Sequence, residues 1–212
     1  MAYQSIYFFT DLPRDIIEIV HKDLEQHYDE QMKDSRLHGD LINKEKRNSK
    51  NTWIPTHHWI AGWLWHYVQK ANKINFLYDL SHIDGGSLQY ARYAEGEYYG
   101  WHNDSGLDIH YKPVFEEVPS CSTLNNDEYH KDKLYEKYEL IRKLSFSLQL
   151  SDPDDYEGGN VQLLDENNKI YIAPRQRGSI ILFDSRTKHR VLKVTKGVRK
   201  SIVGWVVGPR WK

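Results

Sequence analysis

The sequence predicts a mainly β protein, a sandwich or jelly roll with helices at its N-terminal end. Two observations carry this. Apolar residues recur at helical spacing up to about residue 71, and at a spacing of two thereafter. The second half then breaks into about nine short alternating runs separated by turn residues. Two helices followed by many short strands fit helices packed on a β-sandwich. The 212 residues suffice for one domain with a real core. We read 1–212 as that domain, with 1–74 as a helical support and 86–208 as the functional core.

Asp11-Leu12-Pro13 opens the first helix, with Asp11 as its cap and Pro13 in its first turn. Ile16, Ile17, Val20, Leu24 and His27 form its stripe, to about residue 30. Residues 33–52 are polar and charged and read as a loop. Thr56 caps the second helix, whose stripe is Ile60, Leu64, Tyr67 and Val68. Strands are expected at 75–82, 87–94, 97–103, 143–151, 160–164, 169–173, 179–183, 188–194 and 199–207. Between Asp104 and Lys143 the alternation stops. Pro113 and Pro119 interrupt it, and 127–143 reads as a helix burying Leu134, Tyr138 and Ile141. So long a connection is usually functional, and we expect 105–142 to form a recognition element or lid hinged at Arg142.

Composition narrows the class. The one cysteine, Cys121, allows no internal disulfide and fits a reducing compartment. No apolar run approaches the ~18 residues of a membrane span, and residues 1–10 lack the pattern of a secretory leader. A cytoplasmic protein is expected, with no membrane partner. Net charge is −1, yet residues 186–212 hold nine Lys/Arg and no Asp/Glu. This is either a solvated strand face or a basic rim that attracts anions.

The chemistry lies in two separated words. In a strand, residues i and i+2 share a face, so His102 and Asp104 converge while Asn103 turns away. His189 follows the apolar run Leu182-Phe183-Asp184, which ends in a turn that brings a second strand edge to the same mouth. Two imidazoles and one carboxylate are the ligand set of a non-haem Fe(II) centre that keeps positions open for an oxoacid and O2. Arg199 begins an apolar strand running through Ser201 to Val207. An arginine there is costly unless an anion satisfies it, and its planar fork suits a carboxylate. Ser201 shares its face.

Residues 92–104, RYAEGEYYGWHND, together with 144–159, LSFSLQLSDPDDYEGG, resemble the prolyl 4-hydroxylase branch of the Fe(II)/2-oxoglutarate oxygenases, of bacterial and phage type. The resemblance covers about Ser87 to Val207. It implies a double-stranded β-helix in which His102, Asp104 and His189 hold Fe(II). It implies that Arg199 grips the distal carboxylate of 2-oxoglutarate, with Tyr93 beside the co-substrate or the target residue. Gln149 falls where many relatives place a tyrosine that also bonds this carboxylate. Arg142 falls where some prolyl hydroxylases contact substrate, and Trp205, with Tyr99, lines the site. Two departures stand out: the anchor is arginine where collagen-type enzymes use lysine, and 105–142 is long.

The implied reaction couples decarboxylation of 2-oxoglutarate to hydroxylation of a C–H bond, with Fe(II) and O2 and with ascorbate as an accessory. The expected partner is a protein or peptide with a target proline, and a monomer is expected. Nucleic acid is a poor fit, because Trp205 stands where demethylases carry a second arginine. A lysyl or small-molecule substrate, or a non-catalytic jelly-roll module, remains open.

Overall fold

The alternation read from the sequence becomes two sheets facing one another across a cavity. The computed structural model describes residues 7–37, 42–84, 87–105, 107–113 and 135–211. Two helices, α1 (Arg14–Tyr28) and α2 (Trp59–Ala71), precede most of the strands. Their strands are β1 (Tyr7–Asp11), β2 (Lys33–Asp34), β3 (Arg47–Asn48) and β4 (Lys50–Pro55). Then come β5 (His82–Ile83), β6 (Ser87–Ala94), β7 (Tyr98–His102), β8 (Leu107–Pro113) and β9 (Tyr135–Gln149). The last six are β10 (Tyr156–Gly158), β11 (Val161–Leu164), β12 (Ile170–Ile172), β13 (Ser179–Asp184), β14 (His189–Val191) and β15 (Val194–Pro209).

The larger sheet runs β1-β13-β9-β15-β6-β4-β2, with β5 and β10 added to β15 and β8 to β9. The smaller runs β12-β11-β14-β7-β3. The pleat sorts the larger sheet's side chains into two sets. Leu88, Tyr90, Leu144, Phe146, Leu148, Ile180, Leu182, Ile202 and Val206 bury one face against Ile17, Val20 and Leu24 of α1 and Ile60, Leu64 and Val68 of α2. Gly204 lies on this face, where a Cβ would collide with the Phe146 ring. The alternate residues, including Tyr93, Ser147, Phe183, Arg199, Ser201 and Trp205, line the cavity.

Several local expectations are corrected. Asp11 does not cap α1: the helix begins after Pro13 with no side-chain cap, and the Asp11 carboxylate accepts the Ser179 hydroxyl at 2.6 Å. α2 is capped by His58, whose Nδ1 accepts from the Ile60 N–H at 3.4 Å, not by Thr56. The strand expected at 75–82 is replaced by a π-helical turn (Asn72–Phe76) closed by Leu77 at φ +54°, and only His82–Ile83 is extended. The polar stretch 33–52 is not all loop, since β2, β3 and the start of β4 lie in it. The support region thus gives strands to both sheets. The helix expected over 127–143 fails where it can be checked: 135–143 is strand, continuous with β9 and paired to both β8 and β15. Pairing on both sides outweighs the helix-like spacing of Tyr138 and Ile141. Within 105–142, β8 and the start of β9 form an antiparallel pair, while 106 and 114–134 lie outside the described residues.

Candidate active site

Antiparallel pairing of β7 with β14 sets His102 directly opposite His189. Asp104 follows two residues on, pinned by its N–H donating to the Ser185 carbonyl at 2.9 Å. The donor atoms of His102, Asp104 and His189 all lie within 4.8 Å of one another. The His102 Nε2 is 3.7 Å from one carboxylate oxygen and the His189 Nε2 is 3.4 Å from the other. Each Nδ1 faces a backbone carbonyl: Gly100 at 2.8 Å for His102, and Thr187 at 3.0 Å for His189. A carbonyl can only accept, so both rings carry their proton on Nδ1 and present the Nε2 lone pair to the carboxylate. Donors sharing one first-row metal at about 2.1 Å sit roughly 3–4 Å apart, so the residues present fit a divalent cation.

The electrostatics agree. Burial, with His189 alongside, lowers the His102 imidazole to about 4, which keeps it neutral and able to ligate. Burial pushes the Asp104 carboxyl up, but the two imidazoles and the Trp205 and Ser145 donors outweigh it and hold the group below its ordinary value. The Trp205 indole N–H acts on this carboxylate without reaching hydrogen-bond geometry. Tyr99 stacks flat on His102 with ring centroids 3.5 Å apart, and burial raises its hydroxyl to about 12.

Arg199 reaches the same cavity from β15, where it pairs with Tyr93 of β6. It is 3% exposed, and its burial depresses its pKa. Its partners are neutral: Nη1 donates to the Ser201 hydroxyl at 3.3 Å, and the Tyr93 ring centroid lies 5.7 Å from Cζ. Among the described residues no carboxylate neutralises it. A buried guanidinium held only by neutral groups is a receptor for an anion. Gly158 and Gly159 take φ +74° and +61°, and a Cβ on Gly159 would come 3.2 Å from the Arg199 Cδ, so the glycine pair leaves this side chain its room.

The cavity measures about 510 Å³ and is lined by the three clustered residues together with Tyr93, Tyr99, Arg142, Arg199, Ser201 and Trp205. Residues 88–207, more than half the chain, match the model of the 2OG-Fe(II) oxygenase superfamily. The chain belongs to this superfamily. Its members are named for iron(II) and 2-oxoglutarate, and both the clustered donors and Arg199 suit those two groups. A PKHD-type hydroxylase of Parvibaculum lavamentivorans is 38% identical over 77 residues, a stretch that is 36% of this chain and 34% of that relative. The chain therefore spans about a third of the length of that curated relative. Among solved structures, a prolyl-4-hydroxylase of Pseudomonas putida superposes with a TM-score of 0.63 at 16% identity, covering 97% of this chain and 93% of its own. A prolyl hydroxylase of Trichoplax adhaerens, in complex with a hypoxia inducible factor peptide fragment, gives a TM-score of 0.68 at 16% identity, covering 96% and 84%. These likenesses establish the oxygenase jelly-roll fold, here as two sheets that do not close into a barrel.

Other sequence-picked residues divide. Arg142 lines the cavity, 4.4 Å over the Trp205 ring, with its Nε donating to Asp84 at 2.6 Å. Gln149 does not line the main cavity; it borders a smaller void beside Arg199, and its amide donates to the Tyr156 hydroxyl at 2.9 Å. Sequence reasoning missed Tyr156, whose hydroxyl favours the charged form of Arg199 and accepts from the Gln149 amide. Its one signal was its place two residues before the glycine pair. It missed Arg47 and Trp53 as well. Both line the cavity, Arg47 from a two-residue strand inside the charged stretch and Trp53 from β4 just beyond it.

Proposed function

We propose that the protein is an Fe(II)- and 2-oxoglutarate-dependent dioxygenase that hydroxylates a C–H bond, with a prolyl residue of a protein or peptide as its target. The observation that carries this is one cavity holding both the His102–Asp104–His189 cluster and the unneutralised Arg199. His102, Asp104 and His189 would hold iron. Arg199, with Ser201, would take the distal carboxylate of 2-oxoglutarate, and Tyr93 would pack against it. Bound iron and co-substrate supply the O2 chemistry, giving succinate, CO2 and one hydroxyl on the target.

The chain's own residues bind and orient. Nδ1–H bonds to carbonyls fix both imidazoles before metal arrives, so little reorganisation accompanies binding. Gln149 and Tyr156 form a polar shelf behind Arg199 that sets where its fork points. The Tyr99 and Trp205 rings, with Arg142 held by Asp84, form walls suited to an apolar ring such as proline.

Iron-dependent formation of succinate from 2-oxoglutarate tests the reaction class. A peptide array scored by mass spectrometry for a 16-dalton gain tests the target. No succinate with iron and O2 present would defeat the first, and oxidation confined to peptides without proline the second.

A further inference from the structure

Arg199 accounts for one anion, yet the cavity holds a second guanidinium that the proposed reaction leaves without a task. Arg47 lies on β3 opposite Tyr99 of β7 and lines the cavity on the His102 side. It is 7% exposed. Its Nε donates to the Ser49 hydroxyl at 3.0 Å, its Nη2 donates to the Gln89 side-chain carbonyl at 2.6 Å, and Cζ lies 4.7 Å from the Tyr99 ring centroid. All three partners are neutral. Among the described residues no carboxylate pairs with it and its Nη1 makes no hydrogen bond. Arg142, on another wall, is different: Asp84 neutralises it at 2.6 Å.

Charge counting shows why this matters. A divalent metal on Asp104 leaves one positive charge. The two carboxylates of 2-oxoglutarate and the Arg199 cation together cancel that charge. Arg47 then remains, desolvated and uncompensated, beside the metal-facing imidazole of His102. A buried charge of this kind persists at low cost only if something anionic meets it. With the co-substrate already anchored, that anion must belong to the other molecule in the cavity.

We infer that Arg47 receives a carboxylate of the substrate being oxidised. The carboxylate comes either from an acidic side chain close to the target residue of a peptide or from the α-carboxylate of a free amino acid. This rests on the reading of the cavity as a 2-oxoglutarate oxygenase site.

The test uses the full chain loaded with Mn(II) and 2-oxoglutarate, so that binding is read without turnover. Loading is checked first by the Mn(II) spin signal and by 2-oxoglutarate titration. Failure to load defeats the parent reading, and this inference falls with it. Calorimetry then compares matched probes: proline-centred pentapeptides with one Glu moved through the flanking positions against the same peptides with Gln, and L-proline against L-prolinamide. In at least one pair the carboxylate should bind ~10-fold or more tightly, as a charge-assisted hydrogen bond requires. The pair that discriminates identifies the source of the carboxylate. In Arg47→Gln the preference should shrink to about unity, and in Arg47→Lys it should be intermediate. Equal affinities in every pair, no binding of any probe, or a preference that survives Arg47→Gln overturns the inference. So does an Arg47→Gln variant that loses 2-oxoglutarate affinity while keeping its carboxylate preference. The wild-type pairs are decisive even if the variant does not fold.

Discussion

Replacing Arg199 with methionine should weaken the co-substrate while leaving the empty protein at least as stable. The side chain is 3% exposed, its charge is desolvated, and its partners are a hydroxyl, a phenol and an aromatic ring. Methionine keeps much of the volume and removes the charge. Exchanging a buried ionic group for a packed apolar one is often neutral or stabilising, so the ligand-free melting temperature should hold or rise. Charge-assisted pairing contributes ~1.5–3 kcal/mol, so 2-oxoglutarate should bind ~10–150-fold more weakly. At a concentration of 100 times the wild-type Kd, 2-oxoglutarate stabilises wild type by about 2.7 kcal/mol and should stabilise the variant by only about 0.3–1.4 kcal/mol. For a domain of this size each kcal/mol moves the melting temperature ~2–4 °C. The ligand-induced rise should therefore drop from about 5–11 °C to about 1–6 °C. Scanning calorimetry of the Mn(II)-loaded proteins, with and without 2-oxoglutarate, reads both effects. An equal rise in the two proteins would remove Arg199 from the co-substrate site.

Alanine at His102, Asp104 or His189 should each abolish tight binding of one divalent metal, followed by Mn(II) titration, while circular dichroism stays unchanged because the β7–β14 pairing uses backbone; full retention of metal in any one variant would break the assigned triad. Tyr156→Phe strands the buried Gln149 amide and should lower unfolding free energy by ~1–3 kcal/mol in denaturant titration, whereas adding Gln149→Leu should recover most of it. If the double variant is no better than the single, that pairing is not what matters. Gly159→Ala, at φ +61° and crowded by Val194 and Arg199, should cost ~1–2 kcal/mol of stability and weaken 2-oxoglutarate; a neutral effect on both would contradict the close approach. In the metal-free protein His102 titrates near 4, whereas the unfolded chain takes up that proton near 6.5. Unfolding then binds a proton between those values, so this residue's contribution is intact above about pH 6.5 and falls away as pH drops toward 4. His102→Gln should flatten stability over that window, and an unaltered slope would argue against it.

The clustering of His102, Asp104 and His189 and the burial of Arg199 were legible because their signals are local. His102 and Asp104 stand two residues apart at the end of β7, and Arg199 stands at the start of an apolar run, where a charge is costly without an anion. Gly158 and Gly159 both take positive φ, which glycine adopts without strain. Tyr156 and Arg47 were illegible because their role depends on which strands meet in space. Tyr156 sits in an acidic turn, and Arg47 in a two-residue strand with no pattern to read. Gln149 kept its place on β9, but its amide is drawn to Tyr156, a partner from another strand. Element ends went wrong for a related reason. Asp11 has the chemistry of a cap, but β1 pairs with β13 and takes Asp11 toward Ser179 instead.

The two halves of the co-substrate's expected grip belong to different sheets. The imidazoles ride on β7 and β14 of the smaller sheet, and Arg199 rides on β15 of the larger. Between them, Ala91, Tyr93, Tyr156, Val191 and Val194 form one small apolar cluster that spaces the sheets. The jaw width of this caliper is thus set by side chains that neither ligate the metal nor carry a charge, although Tyr93 and Val191 also line the cavity. A dicarboxylate one methylene longer or shorter is gauged by how thickly that cluster is packed, and Val191→Ala or Val191→Ile should retune the accepted chain length with every ligating residue left in place.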